Sequence, residues 1–148
     1  MARRVFFSFH YQRDLWRVNV VRNSSVVEGT SAAGFSDASL WEKAKREGAP
    51  AIKRLIDSGL SGTSVTVVLI GAQTANRQWV AYEIEKSIER GNGLLGVRIH
   101  AIKDRNGHTD LAGSVPSALQ RAGAPIYMYE YGKLGEWVEA AYKKAHPI

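Results

Sequence analysis

Short apolar runs alternate with stretches of helical periodicity along most of the chain. Residues 5–9, Val-Phe-Phe-Ser-Phe, make a compact β-branched and aromatic run that suits a buried strand. Asp14 then stands where a helix cap belongs, before a helix carrying Trp16, Val20 and Val21. A weak strand follows at residues 25–28, and residues 29–39, small and polar with two glycines, read as a loop. Ser39-Leu-Trp-Glu42 has the spacing of a capping box. The helix it opens is interrupted at Gly48-Ala-Pro50, where the proline suits the first turn of a new helix. Ile52, Leu55, Ile56 and Leu60 supply that second helix with its apolar face, and Gly59 and Gly62 end it.

The strongest strand is residues 65–70, Val-Thr-Val-Val-Leu-Ile, nearly all apolar as in a central parallel strand covered on both faces. A loop over 71–76 leads to a helix carrying Trp79, Tyr82, Glu83, Lys86 and Ile88, which Gly91-Asn-Gly93 terminates. Residues 94–102 form the next strand and 103–113 a polar loop. Ser114-Val-Pro116 starts a short helix, and 126–129 is a last strand. Leu134, Trp137, Val138, Ala141, Tyr142 and Ala145 mark a closing amphipathic helix. Strands and helices in this alternation predict an α/β fold: one three-layer domain over residues 1–148, built on a five-stranded parallel sheet with right-handed crossovers. Ligands of such sheets bind beyond the C-terminal strand ends, at the switch in strand order. That directs attention to residues 8–14, 29–39, 71–79 and 100–108.

Composition narrows the chemistry. The 148 residues include no cysteine, which removes disulfides, thiolate zinc sites and thiol nucleophiles. No apolar run approaches the ~20 residues of a membrane span, and Ser8 and His10 interrupt the only apolar segment near the start, so a cytoplasmic location is expected. Net charge is +6. Residues 1–58 hold 10 basic and 6 acidic side chains and residues 59–148 hold 10 and 8, so neither half is a basic tail. A solvated surface with a modest surplus of Lys and Arg accounts for this, and so would an anionic ligand. A nucleic-acid partner lacks support, because no basic stripe with interleaved aromatics is present.

Several motifs fail on context. Gly91-Asn-Gly93-Leu-Leu-Gly96 matches the dinucleotide pattern letter for letter, but it follows a helix and opens a strand, the reverse of what pyrophosphate binding needs. Asn23-Ser-Ser25 fits a glycosylation acceptor with nothing to send the chain to the secretory path. A phosphate-receiver domain would need an aspartate after the third strand, where Gly71, Ala72 and Gln73 stand. P-loop and nucleophile-elbow signatures are absent. None of His10, His100, His108 and His146 pairs with another at helical spacing, so no metal site is expected. Glu83 is sharper. It lies one turn beyond Trp79 on the same face, with Tyr82, Ile84 and Ile88 as apolar surroundings, while Glu85 and Glu89 take the solvent face. A carboxylate beside a tryptophan near a switch point is a candidate perturbed acid, although on spacing alone an exposed or salt-bridged glutamate is the plainer account.

The sequence resembles a known family at this point. Arg4-Val-Phe-Phe-Ser-Phe-His-Tyr-Gln-Arg-Asp14 is similar to the first box of TIR domains. Gln78-Trp-Val-Ala-Tyr-Glu83-Ile is similar to their W-x-x-x-E segment, and residues 64–70 to the strand that leads into it. Gly34-Phe-Ser-Asp-Ala-Ser-Leu-Trp41, residues 62–71 and Glu89-Arg-Gly-Asn-Gly-Leu-Leu-Gly96 resemble more particularly the TIR-like group of the bacterial Thoeris anti-phage system. The resemblance covers roughly residues 3 to 130.

The resemblance implies a flavodoxin-like fold and NAD+ as substrate, with no cofactor or metal. It implies that Glu83 is the catalytic carboxylate, that Ser8, Phe9, His10 and Tyr11 line the nucleotide cleft, and that Asp37, Trp79 and His100 contribute to substrate binding. It further implies conversion of NAD+ to a cyclic ADP-ribose isomer in response to a phage-derived trigger, the product acting on a separate effector. Residues 29–39 take the place of the loop through which TIR domains self-associate, without the proline often found there. The residues agree with such chemistry: breaking the nicotinamide–ribose bond builds positive charge on the ribose. A carboxylate opposes that charge, an aromatic wall of Trp79, Phe9 or Tyr11 excludes water, and Arg13 or Arg77 can pair with the diphosphate. The alternative from a different class is a non-catalytic TIR-like scaffold that associates through its loops.

Overall fold

In the computed structural model the described residues are 3–23, 28–36 and 38–147. Five strands form one sheet: β1 (Arg4–Ser8), β2 (Glu28–Thr30), β3 (Val65–Ile70), β4 (Gly93–Arg98) and β5 (Ile126–Met128). Every pairing is parallel and the spatial order is β2-β1-β3-β4-β5. This is the doubly wound order of flavodoxin-like folds. From β1 the chain turns to one side to lay down β2, then returns to lay β3 on the other, so the β1/β3 boundary is the switch point. Val5 lies beside Val65 and Ser8 beside Val68, so β3 runs two residues past the end of β1.

Among the described residues, six helices cover the sheet: α1 (Tyr11–Asn23), α2 (Ser39–Glu47), α3 (Ala49–Leu60), α4 (Gln78–Arg90), α5 (Ser117–Arg121) and α6 (Leu134–Ala145). The period-2 alternation of β3 distributes them. Val68 and Ile70 pack with Val80 and Ile84 of α4 and with Ala118 and Leu119 of α5. Val65, Val67 and Leu69 join the larger cluster holding Val18 and Val21 of α1 and Trp137, Val138 and Ala141 of α6. Every β3 side chain is buried, as its sequence requires.

Local details depart from expectation in instructive ways. Asp14 caps nothing: α1 begins at Tyr11, the Asp14 amide already donates to the His10 carbonyl at 3.0 Å, and the carboxyl is turned wholly inward. The capping box at Ser39 is displaced by one residue. Ala38 holds the N-cap, without a side-chain bond, and Ser39 is already helical. Glu42 instead accepts a hydrogen bond from Gln12 and approaches Lys45. Of the weak strand expected at 25–28, residues 25–27 lie outside the described residues, and β2 starts at Glu28. β4 stops at Arg98 rather than 102, because Ile99 and Ile102 close a turn (Ile102 N–H to Ile99 O, 3.1 Å). The short helix starts at Ser117, with Pro116 as its N-cap. Gly91 ends α4 at φ 80°, a left-handed backbone conformation that fits its reading as a helix stop.

Candidate active site

α4 is positioned by a chain of buried hydrogen bonds beneath it. Asn92 Nδ2 donates to Thr66 Oγ1 (3.2 Å), Thr66 and Ser87 hydroxyls meet at 2.7 Å, and Ser87 Oγ donates to the Glu83 carbonyl (2.7 Å). At its other end, Thr74 Oγ1 accepts the Gly71 amide at 2.8 Å, fixing the single 3-10 turn (Thr74–Asn76) that leads from β3 into the helix. Helical spacing then turns Val80, Glu83, Ile84 and Ser87 inward and leaves Glu85 and Glu89 in solvent, where they approach Arg121 and Lys86.

Glu83 is therefore no surface glutamate: it is only 1% exposed. Ser8 Oγ, at the end of β1, donates to Glu83 Oε1 at 2.5 Å, while Oε2 has no protein partner among the described residues. Burial pushes the carboxyl up to about 8, and the Ser8 bond works in the opposite direction by favouring the charged form. The surroundings also differ from those expected. Ile84 packs with Val80 toward β3, and Ile88 is largely exposed.

Glu83 borders a cavity of about 330 Å³ beyond the ends of β1 and β3. Phe9, His10, Tyr11 and Gln12 line it from the β1–α1 junction, Trp41 and Lys45 from α2, and residues 76–80 from the start of α4. The aromatic wall is continuous: Phe9 lies 4.2 Å from Tyr11 and Tyr11 is stacked on Trp41 at 4.9 Å, ring centre to ring centre. Tyr11 Oη accepts the Ala33 amide at 3.0 Å, tying the loop after β2 to this wall. His10 is 7% exposed, and its Nδ1 accepts the Arg13 amide at 3.4 Å. Burial, then the Arg77 and Arg13 cations, hold this imidazole below its ordinary value.

Of the residues singled out in the sequence, the cavity thus gathers Phe9, His10, Tyr11, Arg77, Trp79 and Glu83. Ser8 is not part of the lining: it is fully buried behind Glu83. His100 is not part of it either: it lies beyond the end of β4, and its Nδ1 is enclosed without a partner among the described residues. Asp37 lies outside the described residues. Arg13 is committed elsewhere, in a two-pronged ion pair with Asp110 at 2.9 and 3.1 Å. Trp41 and Lys45 were overlooked. Their signal was an i, i+4 pair on one helix face, which acquires meaning only once α2 is docked against Gln12. Among the described residues no group of three or more His, Asp or Glu could hold a metal ion.

A family model for "Thoeris protein ThsB, TIR-like domain" matches residues 6–104. The chain belongs to this family. Consistent with membership in the TIR-like ThsB family, the chain is 51% identical, over 154 aligned positions, to a Bacillus cereus (strain MSX-D12) protein named "Putative cyclic ADP-D-ribose synthase ThsB1". That alignment covers 99% of this chain and 79% of the relative. In this TIR-like domain the matched region contains the end of β1 from Phe6 onward, the whole of α4 and every residue lining the cavity.

Proposed function

We propose that this TIR-like protein is an enzyme that cleaves NAD+ at the nicotinamide–ribose bond and closes the remaining ADP-ribose into a cyclic signalling nucleotide. The observation that carries this reading is Glu83: a buried carboxylate with one oxygen held by Ser8 and the other without a partner among the described residues, at the wall of an aromatic-lined cavity. The name of the Bacillus cereus relative supports it.

The geometry suits the chemistry. As the C1′–N bond breaks, its electron pair leaves with nicotinamide, and the ribose carries positive charge as in glycoside cleavage. In this reading Glu83 Oε2 opposes that charge and holds a ribose hydroxyl. The proton-poor form does this work, and an incoming pyridinium-ribose favours that form by its own charge. Phe9, Tyr11, Trp41 and Trp79 keep water from the cation. A ring nitrogen or hydroxyl of the same molecule then donates its electron pair to C1′ and, where it carried a proton, releases it, which closes the ring. No step requires a metal or a cofactor.

Free consumption of NAD+ would harm the host, so the reading includes control: low resting activity, a phage-derived trigger, self-association through the 29–39 loop, and a diffusible product acting on a separate effector. Among the described residues no helix is long and apolar enough to cross a membrane. Incubation of the purified protein with NAD+, alone and with infected-cell lysate, followed by chromatography of the products, tests the activity. Unchanged NAD+ under all conditions, including high protein concentration, would leave the scaffold. Robust turnover by a dilute, demonstrably monomeric sample would remove the assembly requirement.

A further inference from the structure

The cavity is electrically two-ended, and only its acidic floor is used above. At the mouth, α4 starts without a side-chain cap: Arg77 holds the N-cap position with no capping bond, and Gln78, Trp79 and Val80, whose amides open the helix, all line the cavity. First-turn amides of this kind carry the positive end of the helix dipole. Arg77 is exposed and has no acidic partner among the described residues. Lys45 lines the same mouth from α2, with only a 3.8 Å approach to Glu42. His10 supplies a second, independent pointer. Its ring is more than nine-tenths buried, Nδ1 is taken up by the Arg13 amide, and Nε2 therefore carries the proton and has no hydrogen-bond partner among the described residues.

The geometry points to a diphosphate subsite at this mouth, formed by the first turn of α4, Arg77, Lys45 and the Nε2–H of His10. It rests on the NAD+ reading for the identity of the ligand but on separate residues for its evidence. Donors of three kinds line the same cavity, and Glu83 lies one to two turns further along α4. The arrangement orients a dinucleotide in one sense, phosphates at the helix start and nicotinamide ribose against the carboxylate. The reverse orientation would set Glu83 against the diphosphate. Arg13, the other arginine of this neighbourhood, is excluded by its pairing with Asp110.

Calorimetric titration with inorganic pyrophosphate tests the subsite without any turnover. The samples are the unmodified protein, Lys45→Ala, Arg77→Ala and, as a control for net charge, Lys43→Ala, which lies on α2 in a different groove. Lys45 and Arg77 are exposed, so melting transitions should match the unmodified protein and certify folding. Each of the two variants should bind pyrophosphate about tenfold more weakly, and KM for NAD+ should rise by a similar factor with kcat nearly unchanged. The Lys43→Ala protein should bind as the unmodified one does. Absence of pyrophosphate binding by the unmodified protein, or equal binding by all four, overturns the subsite. If binding separates the variants as expected while no sample releases nicotinamide from NAD+, the subsite stands and the NAD+ reading falls. If NAD+ is consumed with one KM by all four, the reading stands and the subsite falls.

Discussion

Glu83→Gln should destroy activity and stabilise the fold. A carboxyl whose ordinary value is 4.5 is pushed to about 8 in the folded protein. Between those values the folded state holds a proton that the unfolded chain has released, so stability falls as pH rises through the interval. Each pH unit costs about 1.4 kcal/mol, which accumulates to roughly 3 kcal/mol at pH 7 and about 5 kcal/mol above pH 8. Glutamine keeps the shape, can still accept the Ser8 hydroxyl and has no charge to desolvate. Its amide protons lack a partner where Oε2 now stands, which offsets part of the gain. Near pH 4.5 both side chains are neutral and the two proteins should melt together. At pH 7 the variant should melt higher by roughly 5–10 °C, given about 2–4 °C per kcal/mol for a chain of this size. The measurement is a series of thermal or urea melts from pH 4.5 to 8, with Glu85→Gln as the exposed control. Asp14 titrates in the same range but is common to all samples and cancels. In the same proteins, removal of the charge should lower product formation by about 10²–10³. Parallel stability curves for the unmodified protein and Glu83→Gln would show that Glu83 ionises near its ordinary value and would refute the electrostatic account. An active, folded Glu83→Gln protein would refute its role in the reaction.

Other expectations follow from neighbouring groups. For the free enzyme kcat/KM should rise with pH and level off near about 8, following the buried acid, and a flat profile from pH 5 to 9 would exclude Glu83 as the ionising group. Ser8→Ala removes the hydrogen bond to Glu83 Oε1, so that limb should move to higher pH and activity at pH 7 should fall by roughly tenfold. An unmoved limb would reduce Ser8 to packing. Asp14 is fully buried with neither oxygen partnered among the described residues, and burial pushes it up to about 6, against the pull of Arg17. Its cost to stability develops as pH rises from about 4 to 6, so Asp14→Asn should gain up to about 3 kcal/mol at pH 7 and nothing near pH 4, as read by melting.

The sheet, the helix order and the location of the site beyond β1 and β3 were legible because they rest on periodicity and chain order, which local sequence carries. The residues that failed depend on contacts between distant segments. Spacing placed Glu83 and Trp79 on one face of α4 but could not say whether that face turned inward, because the register of the helix is fixed by Ser87, Thr66 and Asn92 beneath it. The Ser8–Glu83 bond joins residues 75 apart in the chain, and no local pattern announces it. His100 was misplaced because Ile99 and Ile102 continue the apolar pattern of β4 while packing from a turn. Arg13 looked free for a phosphate until the loop carrying Asp110 folded back against α1. Both failed caps have one origin: a polar residue near a helix start satisfies the pattern whether it stands at the cap or just inside it.

Two buried carboxylates stand at the same edge of the sheet, and they differ in what they can reach. Asp14 points from the first turn of α1 at the Gly71 backbone, so closely that a Cβ on that glycine would collide with its carboxyl. Nothing larger fits, and Asp14 does not border the cavity. Glu83 is as deeply buried but borders a cavity of about 330 Å³, and its second oxygen has no donor among the described residues. Desolvation raises both acids, so a perturbed acid alone would not have told them apart. Access and the uncompensated oxygen do. In the empty protein each carboxylate opposes folding above its own pKa, but only for Glu83 can a cationic ribosyl group supply the missing partner. Binding energy of that kind is realised most fully as the positive charge develops, which is the condition for lowering a barrier rather than merely holding a substrate.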